Sequence, residues 1–265
     1  DAREKYPPGP EQNEASLLLL QNLIDAQNRD GLTEALAISD SLSESQNLTV
    51  SQSETAALLR ANVLNLLGMA KETEEALKDV STAGSGEQET VILKARTLMS
   101  EAQGLARDGD KPGATTRYQA AQELLAQVTG PGSAEGPAAR AMFMMGLCAE
   151  RLEANQSAID YYQRTIRRFK ASDEYLAATL RLANLMQKEG RDEEALRKFR
   201  EVLRSVVRPD DFRNRWLTLK QFQDDILLAW SNWLDKDHYE EALKLAEAMP
   251  PLIDSARALE FVART

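Results

Sequence analysis

The interval between small residues constrains this chain more than any other feature. Gly146 precedes Ala158 by twelve positions, and Tyr162 follows that alanine by four. Ala183, Ala195 and Phe199 repeat the interval in the next stretch, and Ala102, Ala114 and Tyr118 keep it in the preceding one. Small residues at a fixed interval let two successive helices cross closely. The apolar positions around them fall at helical spacing: Met142, Met145 and Ala149 in one stretch, Leu182 and Met186 in the next, then Leu196, Val202, Leu203 and Val206. Asp108-Gly109-Asp110 and Gly190 supply turns between the paired helices. A helical hairpin cannot cover its own apolar face, so the pattern calls for hairpins stacked on one another.

Composition agrees. The 265 residues are 43% hydrophobic and 28% charged, with only 6% aromatic. They are rich in Ala, Leu, Glu, Gln and Arg, the better helix formers, and hold no alternating Val/Ile/Thr run that would propose a strand. There is no apolar run of about 18 residues, the length that crosses a membrane. One histidine and one cysteine leave the usual zinc and thiol–imidazole chemistries without their ligands, so no metal, cofactor or catalytic residue is assigned. The net charge of −10 is uneven: residues 140–220 carry 17 basic and 12 acidic groups, while every other section is acidic. One basic section in an acidic chain points to a localised anionic partner.

In chain order, residues 1–15 contain Pro7-Pro8-Gly9-Pro10 and read as an extended linker. Residues 16–265 read as a single domain of six units, near 16–56, 57–94, 95–138, 139–175, 176–222 and 223–265. Thr49 or Ser51 is placed to cap the first helix of the second unit, with Glu54 completing a capping box on Ser51. Gly84-Ser85-Gly86 breaks the chain before the third unit, where Pro112 falls in the first turn of the second helix. Asp192 is placed to cap the helix after Gly190, Pro209 stops that helix, and Pro250-Pro251 ends the sixth unit.

This spacing resembles that of the tetratricopeptide repeat, most closely in units four and five with their second helices AIDYYQRTIRRF and EEALRKFREVL. Met142 and Thr179 stand where that family usually has Trp, and Lys170 where it has Pro. The resemblance implies an all-α, right-handed α-solenoid of about six hairpins, acting as a non-enzymatic scaffold that binds a peptide or protein segment in a concave groove. It is similar to the scaffolds of the bacterial envelope, which implies an envelope location over a cytoplasmic one. The family's groove positions, carried onto the first helices, are Arg96, Met99, Ser100, Gln103, Ala106 and Arg107 in unit three. They are Arg140, Phe143, Met144, Leu147, Glu150 and Arg151 in unit four, and Ala177, Leu180, Arg181, Asn184, Gln187 and Lys188 in unit five. Six are basic and one is acidic, which implies an acidic segment and no small-molecule substrate. Arg107, Arg151 and Lys188 answer the negative carboxyl ends of their helices; Arg96 and Arg140, near amino ends, do not. Arg140, Arg181 and Asn184 are expected to converge on one carboxylate, with Phe143, Leu147 and Leu180 taking an apolar side chain beside it.

The alternative reading is a nucleic-acid-linked regulatory module using the basic section 164–215. Overall acidity and the lack of a recognisable DNA-reading unit stand against it. Other features take plainer readings. Gly130-Pro131-Gly132-Ser133 lacks the Lys-Ser/Thr ending and the preceding strand of a phosphate loop and reads as a connection between units. Cys148 reads as a small buried hydrophobe, and His238 as a turn residue. Trp216, Trp230 and Trp233 read as core packing rather than a partner patch.

Overall fold

The computed structural model describes residues 10–265 apart from 27, 46, 79, 81–84, 207, 210–211, 251 and 254. These residues form thirteen α-helices and, among them, no strand. Twelve pair as hairpins: α1 (Pro10–Ala26) with α2 (Arg29–Ser43), α3 (Val50–Leu66) with α4 (Ala70–Lys78), and α5 (Ser85–Arg107) with α6 (Lys111–Ala126). Then come α7 (Glu135–Arg151) with α8 (Asn155–Arg168), α9 (Asp173–Lys188) with α10 (Asp192–Ser205), and α11 (Leu219–Leu234) with α12 (Tyr239–Ala246). The last helix is α13 (Ser255–Arg264). The fold is thus all-α and built of tetratricopeptide-like hairpins. It divides into two compact units, Asp1–Cys148 and Ala149–Thr265, the division falling inside α7.

The turn inside a hairpin is the same object five times over. Its residue with positive φ is Gly68, Gly109, Glu153, Gly190 or Asp237 in hairpins two to six. The next residue donates its N–H five positions back, from Met69 to Leu64, Asp110 to Leu105, Ala154 to Ala149, Arg191 to Met186 and His238 to Trp233. This is a Schellman ending, which satisfies carbonyls that the helix leaves open and turns the chain directly into the second helix. Glycine adopts the left-handed conformation freely, whereas a residue with a side chain pays about 1–2 kcal/mol. Glu153 is exposed at φ 58°. Glu153→Gly is therefore expected to raise stability by roughly 0.5–1 kcal/mol, the relieved strain less the entropy that glycine adds to the unfolded chain. A denaturation midpoint that stays put or falls would show the strain to be absent.

The small residues do what their spacing implies. Ala102, Ala158, Ala183 and Ala195 are fully buried and Ala114 nearly so. In the first unit Leu20, Ile24, Ala35, Ile38, Leu42 and Val63 form one apolar cluster, and Ala61, Leu64, Ala76, Leu77, Val80 and Leu93 another. In the second unit Tyr162, Phe169, Phe199, Phe222 and Trp233 are fully buried, with Phe199 and Trp233 edge to face at 5.7 Å between ring centroids. Burying side chains of this size contributes about 1.5–3 kcal/mol each.

Several local expectations change. The lead-in over 1–15 ends early, because Pro10 and Glu11 open α1: proline fits the first helical turn, where its missing N–H costs nothing, and Glu11 suits the positive helix end. Pro7-Pro8-Gly9 lies outside the described residues. The cap of α3 is Thr49 with Gln52 in a reciprocal capping box, not Ser51 with Glu54. Ser85 and Gly86 do not break the chain but start α5, ten residues ahead of the start expected for unit three; Gly84 lies outside the described residues. Pro112 does sit in the first turn of α6, whose cap is Asp110, accepting from the Gly113 N–H at 2.9 Å. Asp192 does not cap α10. Its carboxylate accepts from Trp233 Nε1 at 2.6 Å and lies 3.1 Å from His238 Nδ1, so it joins hairpin five to hairpin six.

Candidate functional site

The groove positions carried over from the sequence separate by their place along each first helix. The earlier positions on each helix are buried or engaged. Met99, Phe143, Met144, Ala177 and Leu180 are buried, so Phe143 and Leu180 pack between helices instead of offering a wall to a ligand. Arg96 Nη1 donates to Asn62 Oδ1 on α3 at 2.9 Å. Arg140 on α7 is ion-paired through Nη2 with Glu89 on α5, and its side chain is only 18% exposed. These two arginines, unexplained by helix dipoles, thus hold a first helix to the first helix before it. Asn65 Nδ2 donates to Thr97 Oγ1 across the same α3–α5 joint at 3.1 Å.

The carboxyl-terminal halves are open. Gln103, Ala106 and Arg107 on α5 are exposed, as are Arg151 at the end of α7 and Lys188 at the end of α9; Leu147 and Asn184 are half-buried. Arg107 Nε also donates to the Gln103 carbonyl at 3.3 Å, closing the last turn of α5. Ser100 is half-buried, and Gln187 is the exception near a carboxyl end: it is buried, its amide donates to the Ala229 carbonyl at 2.7 Å and its carbonyl accepts from Asn232 at 3.3 Å, tying α9 to α11.

Within the second unit the charges gather around Glu150. Arg181 Nη1 lies 4.0 Å from Glu150 Oε2, at the outer limit of an ion pair. Tyr162, Arg151 and Lys188 also favour the ionised form of the same carboxylate. Burial nevertheless outweighs all of these and pushes the Glu150 carboxyl above the usual glutamate range. Burial also raises the Asp225 carboxyl, against the pull of Arg181 and with a further push from Asp224. Arg181 is thus shared between carboxylates on α7 and α11, which leaves Arg151 and Lys188 as the exposed cations of the cluster.

The remaining candidates resolve singly. Cys148 is fully buried, and burial pushes its thiol up to about 12, so the reactive thiolate is suppressed at neutral pH. The tryptophans do not form one cluster. Trp233 packs on Phe199, Trp230 lies edge to face with Phe261 at 4.8 Å, and Trp216 Nε1 donates to the buried Glu174 at 2.9 Å. The Gly130–Ser133 stretch is a loop between α6 and α7, with Gly132 at φ 91° and the Ala134 N–H donating to Gln88 Oε1. Among the described residues no three His, Cys, Asp or Glu side chains gather as a metal site, and no described helix is long and apolar enough to cross a membrane.

No family model matches the chain, and no curated protein matches it in sequence. Solved structures do resemble it in fold. BtubC (BKLC) from P. vanneervenii aligns over 92% of this chain and 91% of its own, at 14% identity and a TM-score of 0.52. The apo form of RapI aligns over 95% of this chain and 75% of its own, at 14% identity and a TM-score of 0.51. At such identity the likeness is one of fold: an all-α array of tetratricopeptide-like hairpins.

Proposed function

We propose that the chain is a non-enzymatic scaffold whose first helices receive an extended segment of another protein, with an acidic side chain of that segment seated beside Arg151 and Lys188. The observation that carries this reading is the split along the first helices. The earlier positions are consumed by packing and by pairs such as Arg140–Glu89, while Arg107, Arg151 and Lys188 at the carboxyl ends stay exposed. Arg181, Arg151 and Lys188 set three cations around the one carboxylate of Glu150, so a carboxylate from outside meets an excess of positive charge. An extended segment suits this surface because the half-buried Asn184, one turn before Lys188 on α9, offers it hydrogen bonds. No nucleophile, base and orienting group come together among the described residues, which favours binding over catalysis.

The experiment is selection of short random peptides on the intact chain, followed by affinity measurement with wild type and with the Arg151→Ala, Lys188→Ala double variant. Selected peptides are expected to carry Asp or Glu. The double variant should bind them more weakly by roughly 1–3 kcal/mol, the range for a hydrogen bond to a charged group. Both residues are exposed, so thermal stability should hold. Peptides without carboxylates, or equal binding by the double variant, would overturn the reading.

A further inference from the structure

We infer that the second helices of hairpins four and five, α8 and α10, carry a separate docking surface that takes a short acidic segment of a partner protein on an arginine-rich face. Arg164, Arg167 and Arg168 lie three and four residues apart on α8, and Arg197, Arg200 and Arg204 recur at the same kind of spacing on α10. All six are exposed, as are Lys170 and Arg208 just beyond the two helices. Both helices pack against α9, which places them on one part of the second unit.

What distinguishes this face from an ordinary solvated one is how little of its charge is answered. Among the described residues Arg164, Arg167, Arg200 and Arg204 make no ion pair. Of two nearby carboxylates, one is held by groups other than these arginines and one answers Arg197 alone. Glu201 accepts from Lys198 Nζ at 2.7 Å and from the Tyr175 hydroxyl at 2.5 Å, and Glu193 lies 3.9 Å from Arg197. Arg167, Arg168 and Arg204 do complement the carboxyl ends of their helices, but Arg164 and Arg200 lie further back, where the helix dipole gives no such reason. Residues 140–220 are +5 in a chain of −10, so the rest of the chain carries −15 and solubility does not require these cations.

The occupant follows from charge and shape. Arginine forks hold carboxylates through paired hydrogen bonds, and two stripes of them suit a run of Asp and Glu. A nucleic acid fits less well. It carries about one charge per 1.7 Å of duplex and extends past the patch onto the acidic remainder, while attraction to the patch fades within a Debye length of about 8 Å. Of the aromatics on α8 and α10, Tyr162 and Phe199 are buried and only Tyr161 is partly exposed, so no row of rings stands ready to stack successive bases.

The test uses the intact chain, a fluorescein-labelled Asp/Glu peptide of about ten residues, and fluorescence anisotropy at about 50 mM salt, where such contacts are strongest. Wild type is expected to bind it. The quadruple variant Arg164→Gln, Arg167→Gln, Arg200→Gln, Arg204→Gln should lose about tenfold or more in affinity. The pair variants Arg164→Gln, Arg167→Gln and Arg200→Gln, Arg204→Gln should each lose part of it, which keeps the test decisive if the quadruple variant misfolds. The same fold-loss is expected when the four arginines are replaced in the Arg151→Ala, Lys188→Ala background, which separates the outer surface from the groove. Absence of binding, or wild-type affinity in the quadruple and pair variants, would overturn the inference. So would tighter binding of an oligonucleotide of equal charge that the same arginine variants abolish, since that result would make the surface a nucleic-acid site.

Discussion

Trp233→Ala is expected to remove about 3–5 kcal/mol from the stability of the second unit, the largest effect of any single substitution considered. Three losses coincide at this residue. The indole is fully buried, its edge-to-face contact with Phe199 disappears, and Asp192 loses the Nε1–H donor that it accepts at 2.6 Å. The last loss is severe because the Asp192 side chain is only 15% exposed and keeps His238 as its remaining partner. Trp233→Phe separates the contributions: it restores most of the volume but not the donor, and is expected to cost about 1–3 kcal/mol, the penalty for stranding a buried acceptor. Urea unfolding followed by far-ultraviolet circular dichroism measures both. A loss below about 1 kcal/mol for Trp233→Ala would mean that the joint between hairpins five and six contributes little.

Ala183→Leu is expected to destabilise by about 1–3 kcal/mol, although leucine is an equally good helix former. Ala183 is fully buried on α9, where the hairpin's helices cross, and a larger side chain must push α10 or its neighbours outward. Ala106→Leu is the control. Ala106 is exposed on α5, and there the same change should stay within about 0.5 kcal/mol. Equal effects at the two positions would remove the physical basis of the twelve-residue spacing.

That spacing is the part of the fold most legible in the sequence. Ala183, Ala195 and Phe199 lie on the paired helices α9 and α10 of one hairpin, so their interval is local and survives in the primary structure. The five left-handed turns were only partly legible. Three announce themselves as Gly68, Gly109 and Gly190, whereas Glu153 and Asp237 occupy the same conformation without the residue that signals it. Harder still were the polar joints. Arg140 finds Glu89 fifty-one residues earlier, and Asp192 finds Trp233 forty-one residues later. Nothing in the local pattern distinguishes such an arginine from one facing a ligand, or such an aspartate from a helix cap. Positions transferred by repeat register had the same weakness. Register fixed the helix turn on which Phe143 and Leu180 lie, but their burial depends on how tightly neighbouring helices close over them.

The arginine joints give the array a direction and an order. Arg96 looks back to Asn62, Arg140 to Glu89 and Arg181 to Glu150, each cation reading a residue supplied by the preceding hairpin. Hairpins matched this way are not interchangeable bricks. Excising α5 and α6 would leave Arg140 without Glu89, and duplicating that hairpin would seat one copy of Arg96 on a neighbour that lacks Asn62, so each change in repeat number strands a cation at the new joint.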